Sequence, residues 1–317
     1  MNALNTQTRK VLAAGVAGVS RNWPFLLGRH RLASWVEDLL PMSDDVMSAT
    51  LKDSDVRFEF RRSDKLGILL YAFGEFESHV FRALKLAVEH SGISIPNVVD
   101  LGANIGLMSL RLAAETGCRT ISVEPQPGVR TFLERNARAN GLQEKIRIVA
   151  EAVGEQSGEL DFYVNHRHPA GSSMRACEGC ERVQVQVRTL GELVTEKEWR
   201  NTAVMKVDIE GFEPEAFRGA LDLFAIARPP IVFEINSQAL HERGILPGKV
   251  SEPLRQAGYT HFHALDEVLY NPQNGATSIV DILATTDEHE PLRSAYGCMP
   301  EYRPPERRHF PLAPVVL

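Results

Sequence analysis

Long apolar runs are missing from this chain. None of its 317 residues belongs to a stretch approaching the ~18 apolar residues of a membrane-spanning helix, so no span is expected. Cysteine is scarce. Cys118, Cys177, Cys180 and Cys298 are too few and too unevenly spaced for a disulfide framework, and the expectation is reduced thiols in a cytoplasmic protein. An excess of basic charge is also lacking. Lys and Arg number 35 against 41 Asp and Glu, a net charge of -6, which speaks against a nucleic-acid partner because such a partner needs a basic face. Internal repeats and low-complexity tracts are absent, which excludes solenoid and disordered classes. What remains, 44% hydrophobic and 24% charged, is ordinary globular material long enough for one large or two small domains. The run from Val11 to Val19, preceded by Arg9 and Lys10, faintly resembles a signal segment. It is rich in alanine and glycine and lacks leucine bulk, so an N-terminal helix is expected there.

One more absence is informative. After the β-branched run Val98-Val99, the turn Asp100-Leu101-Gly102-Ala103-Asn104-Ile105-Gly106 lacks the second glycine of the dinucleotide fingerprint G-x-G-x-x-G, and Asn104 stands in its place. Gly102 and Gly106 read as a backbone floor on which a ligand lies. Asp100, two residues before the first glycine, would repel a pyrophosphate and attract the ammonium and sulfonium of S-adenosylmethionine. A second strand pattern, Thr120 to Val123, ends in Glu124, placed to accept ribose hydroxyls. The unit reads as βαβ with two carboxylates at the strand ends.

The flanking chain alternates strand and helix patterns, which implies an α/β fold with a mostly parallel sheet and helices on both faces. Strands are expected at 97–101, 120–124, 145–150, 203–209, 230–235, 259–264 and 278–285, with helices at 78–91, 105–116, 127–140 and 248–257. Phe58 and Phe60 alternate with charged residues in a strand at 57–61, and Leu66 to Phe73 is expected as its hairpin partner. Between 154 and 190 the alternation breaks. Segments 159–164 and 182–187 read as an antiparallel hairpin inserted into the sheet domain, and Thr189 with Glu192 as a capping box. The expected division is an N-terminal helical and hairpin segment over 1–70, a main domain over 71–290 and an irregular tail over 291–317.

A second dense cluster is Lys206-Val207-Asp208-Ile209-Glu210-Gly211-Phe212-Glu213, three acids and a lysine following a buried strand. Ligands in open α/β sheets bind at the carboxyl ends of the strands, so Asp208 shares a rim with Asp100 and Glu124. With these residues in place, the chain resembles the FkbM family of S-adenosylmethionine-dependent methyltransferases. The resemblance covers about 70 to 240 and rests on the turn after Val98-Val99, on Val123-Glu124-Pro125 and on the cluster at 206–213. Gly74-Glu75-Phe76-Glu77, Ser172-Ser173-Met174 and Val232-Phe233-Glu234-Ile235 give weaker support. It implies a class I, Rossmann-like methyltransferase domain with a seven-stranded sheet, and O-methylation of a hydroxyl on a small sugar-containing or natural-product acceptor. Gly191, where an acid is expected, and the loop with His166, His168, Cys177 and Cys180 depart from the pattern.

Methyl transfer to a hydroxyl needs a group that takes the hydroxyl proton. Asp208 is the first candidate, Glu210 and Glu234 are the next, and His168 or His166 could overhang the acceptor from the inserted loop. For the cofactor, Asp100 is expected at the methionine end, with Gly102, Ala103, Asn104 and Gly106 below it and Glu124 at the ribose. Glu151 and Ala152 are placed near the adenine by position. Glu77 closes over the methionine end by the resemblance alone. Asp208, Glu234 and Asn236 end neighbouring strands and offer the hard oxygens that magnesium prefers, so a divalent metal stays open beside a metal-free site. A zinc site at His166, His168, Cys177 and Cys180 is disfavoured by the lone C-x-x-C. The partner expected is a small-molecule acceptor, with no nucleic acid and with a homodimer left open. Methylation of another acceptor, a nicotinamide-dependent oxidoreductase and a non-catalytic cofactor-binding protein are the competing classes.

Overall fold

The computed structural model describes residues 6–21, 29–40, 45–164, 180–265 and 279–297. The chain opens with two helices, α1 (Thr6–Arg21) and α2 (Arg29–Leu39), and an antiparallel hairpin of β1 (Val46–Thr50) and β2 (Arg57–Arg61). Helices α3 (Lys65–Phe73) and α4 (Ser78–His90) lead into the alternating unit β3 (Asn97–Leu101), α5 (Leu107–Thr116), β4 (Arg119–Val123), α6 (Pro127–Ala139) and β5 (Ile146–Val149). A second small sheet follows, from β6 (Ala152–Val153), β7 (Gly158–Val164) and β8 (Glu181–Arg188). Then come α7 (Leu190–Leu193), α8 (Glu196–Arg200), β9 (Thr202–Val207), α9 (Glu213–Arg218), α10 (Leu221–Ile226) and β10 (Ile231–Asn236). The last elements are α11 (Ser237–Glu242), α12 (Glu252–Gln256), β11 (His261–Ala264), β12 (Ile279–Thr285) and α13 (Glu290–Tyr296). Among the described residues no helix is long and apolar enough to cross a membrane.

The main sheet has seven strands in the order β11-β12-β10-β9-β3-β4-β5. From β10 to β5 all neighbours are parallel, and β12 runs antiparallel between β10 and β11. This is the mostly parallel seven-stranded sheet expected from the alternation of strands and helices. The strands are buried on both faces. Val98, Val204, Val232 and Leu283 point into a core shared with the first six helices, while Val99, Met205, Phe233 and Ile282 point into a core shared with helices that follow β8. Chain order runs outward in opposite directions from β3 and β9, so the topological switch lies between these two strands, where a ligand crevice opens beyond their carboxyl ends.

Leu66–Phe73 is helix α3, not the expected hairpin partner of β2. A short apolar run does not distinguish strand from helix by periodicity, and the caps decide it here. The Asp64 carboxylate accepts the Leu66 N–H at 3.0 Å, and Gly74 closes the helix at φ +72°. The true partner of β2 is β1, with Ala49 opposite Phe58 and Met47 opposite Phe60. Residues 291–296, expected as irregular tail, belong to α13, whose Leu292 is buried. The capping box at Thr189 is present, with its N–H donating to the Glu192 carboxylate at 3.0 Å. Cys118 is a free, buried thiol, but Cys180 is disulfide-bonded, which corrects the expectation of reduced thiols there. A low cysteine count excludes a framework of bridges; it does not exclude one bridge.

Two asparagines on α6 join the N-terminal hairpin to the sheet domain. The Asn136 side chain, fully buried, accepts the Glu59 N–H at 2.7 Å and donates to the Glu59 and Ile105 carbonyls at 3.1 and 3.0 Å. One turn later the Asn140 amide accepts the Arg57 N–H at 2.9 Å and donates to the Arg57 carbonyl at 2.7 Å. The two side chains act as the next strand beside the edge of β2. Asn136→Ala would leave three buried backbone groups unpaired, and a loss of about 3 kcal/mol in chemical denaturation is expected. Asn140→Ala, at the solvent edge, is expected to cost about 1 kcal/mol.

Candidate active site

A cavity of about 330 Å³ opens at the switch point, above the ends of β3, β4, β9 and β10. Gly102, Asn104, Glu124, Asp208, Glu210 and Glu234 line it from the strand ends, Glu77 and Phe76 from the turn before α4, and Leu66 and Leu69 from α3. Ala152, Val153 and Phe162 close it from the small sheet. The sequence motifs far apart in the chain therefore meet in one place.

The glycines have a different reason from the one read in the sequence. A side chain on Gly102 would bring its Cβ to 1.8 Å from the Asp208 carbonyl oxygen, and one on Gly106 would meet Leu110 and Leu133 at 2.3 and 2.5 Å. Both also sit at positive φ, +78° and +93°. Gly102 lines the cavity, but the chain itself demands the glycine, because the loops after β3 and β9 cross in contact. Gly106 and Ala103 are not part of the cavity wall.

Three non-glycine residues among those described hold positive φ, namely Glu77 at 47°, Asn104 at 52° and Glu210 at 57°. All three line this cavity. Such backbone conformations cost about 1 kcal/mol or more and persist only where surroundings impose them, commonly at functional sites. The impositions are visible. The Asn104 N–H donates to Glu124 Oε2 at 2.9 Å, and its side chain accepts the Ile105 N–H at 2.8 Å. Glu210 is bracketed by Glu213, whose Oε1 accepts the N–H groups of Ile209 and Gly211 at 3.1 and 3.2 Å. Asn236 Nδ2 donates to Glu210 Oε2 at 3.4 Å, while Asn236 Oδ1 caps α11 by accepting the Ala239 N–H.

Charge is the dominant feature. Lys206 Nζ lies 3.0 Å from Asp208 Oδ2 and 4.0 Å from Asp100 Oδ1, with the lysine and Asp100 side chains 7% and 2% exposed. Burial alone would discharge Lys206; the attraction of Asp208, Asp100 and Glu77 outweighs it and holds its pKa above the ordinary value. Asp100 Oδ2 accepts the Ser109 hydroxyl at 2.5 Å, and Oδ1 has no hydrogen bond. Burial pushes Asp100 above the usual carboxylate range, Lys206 opposing. Glu77 is raised to about 8 by burial, against the pull of Lys206 and with Asp208 and Asp281 adding repulsion. Glu234 is raised to about 10 by burial, then by Asp208, Glu210, Asp281 and Glu213. Burial raises Glu124 to about 7 against the backbone N–H groups of Gln126 and Asn104, and Glu213 to about 7 in the same way.

The structure brings Glu77, Gly102, Asn104, Glu124, Ala152, Asp208, Glu210 and Glu234 together. Asp100 lies directly behind the wall, joined to it through Lys206, and Glu151 is half-exposed and outside the wall. His166, His168 and Cys177 fall outside the described residues. Among the described residues no group of three His, Cys, Asp or Glu is arranged to hold a metal ion. Sequence reasoning missed Gln126, Phe76, Phe162 and the α3 pair Leu66 and Leu69. It also missed the His79–Asp281 contact, 2.8 Å, directly across the sheet from Glu234.

The profile of the family described as "Methyltransferase FkbM domain" matches residues 100–265. No curated protein matches the chain. Among solved structures, methyltransferase FkbM from Methylobacillus flagellatus KT is 15% identical, with a TM-score of 0.41 over 60% of this chain and 44% of that one. This chain thus spans less than half the length of that relative. The SAM-dependent methyltransferase from Agrobacterium tumefaciens is 16% identical, with a TM-score of 0.42 over 77% of this chain and 70% of that one.

The raised carboxyl groups make a stability statement. Each keeps in the folded state a proton that the unfolded chain releases above its ordinary pKa of 4.5. Their contribution is complete below that value and is lost as pH rises through the folded values, about 7 for Glu124 and Glu213, about 8 for Glu77 and about 10 for Glu234. The ligand-free protein is therefore expected to melt at a higher temperature at about pH 5.5 than at about pH 8.5, with Glu234→Gln reducing the difference. A melting temperature that rises across that interval would contradict the assignment.

Proposed function

The chain belongs to the FkbM methyltransferase family, and from that premise we propose that it is an S-adenosylmethionine-dependent O-methyltransferase acting on a hydroxyl of a small sugar-containing or natural-product metabolite. The observation that carries this reading is the surplus of carboxylates in the cavity. Glu77, Asp208, Glu210 and Glu234 converge where Lys206 is the buried cation that meets them. A partly apolar, half-enclosed space whose surplus carboxyl groups can give up protons to become negative suits a ligand carrying a sulfonium and an ammonium.

When bound, S-adenosylmethionine supplies a methyl group on a sulfonium that is already a good leaving group. The residues of the chain have the remaining tasks. Glu124, with lone pairs free beyond the two backbone N–H groups it accepts, receives the ribose hydroxyls. Glu77 and Asp208 face the cationic part of the ligand, and Asp100 holds Lys206 in register with Asp208. Phe76, Phe162, Leu66 and Leu69 exclude water, which strengthens every charge interaction inside. The acceptor proton needs a base. Asp208 is tied to Lys206 at 3.0 Å, whereas Glu234 makes no hydrogen bond among the described residues and has a strongly raised proton affinity. Once a cationic cofactor has drawn the proton from Glu234, its carboxylate is the group best matched to receive a hydroxyl proton, with Glu210 beside it. Carboxyl groups at that end disfavour acceptors bearing phosphate or carboxylate.

The test is transfer of labelled methyl from S-adenosylmethionine into a fractionated metabolite extract. Label is expected in a glycoside or polyketide fraction. Glu234→Gln should lower turnover about 100-fold or more, a larger effect than its loss of cofactor affinity, and Asp208→Asn should weaken cofactor binding as well. Label confined to protein or nucleic acid would overturn the acceptor class.

A further inference from the structure

Asp281 and His79 stand beside Glu234 without entering the cavity wall. β10 and β12 run antiparallel, with Glu234 directly opposite Asp281. Opposed residues of such a ladder point to the same face of the sheet, with Cβ atoms about 5 Å apart. That face is the one α4 covers, because Val232 and Leu283, two residues from Glu234 and Asp281, share a core with Val80 and Leu84 of α4. His79, in the first turn of α4, brings its Nε2 to 2.8 Å from Asp281 Oδ2. An ionised carboxylate only accepts, so Nε2 carries the hydrogen and donates.

The charges around this pair come from every side. Glu77 precedes α4, and Arg82, one turn along it, lies 5.2 Å over the Tyr296 ring of α13. The Tyr296 hydroxyl donates to the His79 carbonyl at 3.3 Å. On α5, Glu115 pairs with Arg111 and with Lys85 farther along α4. On the sheet side Lys206 is engaged by Asp208 and Asp100. Burial raises the proton affinity of Glu234, and repulsion from Asp208, Glu210, Asp281 and Glu213 adds to it. Asp281 is the acid of that set joined to an imidazole. A hydrogen bond from the imidazole draws on the carboxylate charge and weakens its repulsion of Glu234. The two side chains are only partly buried, 25% and 18% exposed, so the pair is a graded influence on the site and not a sealed ion pair.

We propose that His79 and Asp281 form a positioning dyad for the methyl transfer, in which the imidazole moderates the charge that Asp281 presents to Glu234 and thereby governs how readily Glu234 exchanges its proton. The role rests on Glu234 as the base in the reading above. The test follows the carbon-13 resonance of the Glu234 carboxyl in the full chain, labelled at glutamate and assigned by its loss in Glu234→Gln. Sinefungin, a stable analogue with an ammonium in place of the sulfonium methyl, is bound at saturation. His79→Gln leaves the Asp281 charge unopposed, so the Glu234 midpoint is expected to rise by about one pH unit. Asp281→Asn removes that charge and keeps the shape, so the midpoint is expected to fall by a similar amount. His79→Lys, which keeps a donor at the position, is expected to return it toward wild type. Because the base acts as a carboxylate, the rising limb of methyl transfer against pH should follow the midpoint, upward for His79→Gln and downward for Asp281→Asn. Loss of packing alone has no reason to move the two variants in opposite directions. Midpoints that move together or stay fixed would overturn the proposal, and so would a limb that ignores the midpoint. Wild-type protein that does not bind sinefungin would overturn the cofactor reading and the dyad's role with it, a result distinct from bound analogue beside an unmoved Glu234.

Discussion

A single buried ammonium, Lys206, is shared among more carboxylates than it can neutralise. It reaches Asp208 at 3.0 Å and Asp100 at 4.0 Å, and its charge also acts on Glu77 in the cavity wall. Without Lys206 the end of β3 would hold an unpaired, buried Asp100, a cost that breaks marginal folds. With it, Asp100 and Asp208 are tied across neighbouring strands, and the surplus acids Glu77 and Glu234 escape repulsion by holding protons in the ligand-free site. That protonated surplus is negative charge held in reserve, released when a cationic ligand binds.

The rest of the structure holds this arrangement in place. β3 and β9 lie side by side at the topological switch, so the loops that follow them must cross, and Gly102 is the residue that lets the Asp208 carbonyl pass. Glu213 clamps the amides on either side of Glu210. Arg243 accepts no part in the cavity but braces the same loop, donating to the Gly211 carbonyl, pairing with Glu215 and lying 3.8 Å over the Phe212 ring. The 208–213 turn is thus held at the N–H groups of Asp208, Ile209 and Gly211 and at the Gly211 carbonyl. The strained conformation of Glu210 is held by those contacts, as that of Asn104 is by its bonds to Glu124 and Ile105.

Much of this was legible in the residues. The turn after Val98-Val99, the acid Glu124 and the run 206–213 place themselves at strand ends because each follows a β-branched run, and the parallel sheet then brings them to one rim. The inserted strands near 159–164 and 182–187 were legible from period-two alternation. Other features were not, for physical reasons. Leu66–Phe73 is apolar on every side, so no periodicity separates helix from strand, and only the caps at Asp64 and Gly74 do. The role of Gly102 depends on a contact with a residue 106 positions later, which no local pattern contains. Gln126 looks like any polar residue near a helix start; its burial and its place in the cavity wall exist only in the packed fold. The Asn136 and Asn140 clamps likewise need β2 to be seen beside α6.

Proton exchange on cofactor binding tests the charge surplus most directly. Titrations of S-adenosylmethionine and S-adenosylhomocysteine near neutral pH, each in two buffers of different ionisation enthalpy, measure the protons released per ligand bound. Because Glu77 and Glu234 hold protons in the ligand-free site, the sulfonium ligand is expected to release protons, and more of them than its neutral-sulfur counterpart. Equal binding heats in both buffers for both ligands would contradict the central role given to these carboxylates.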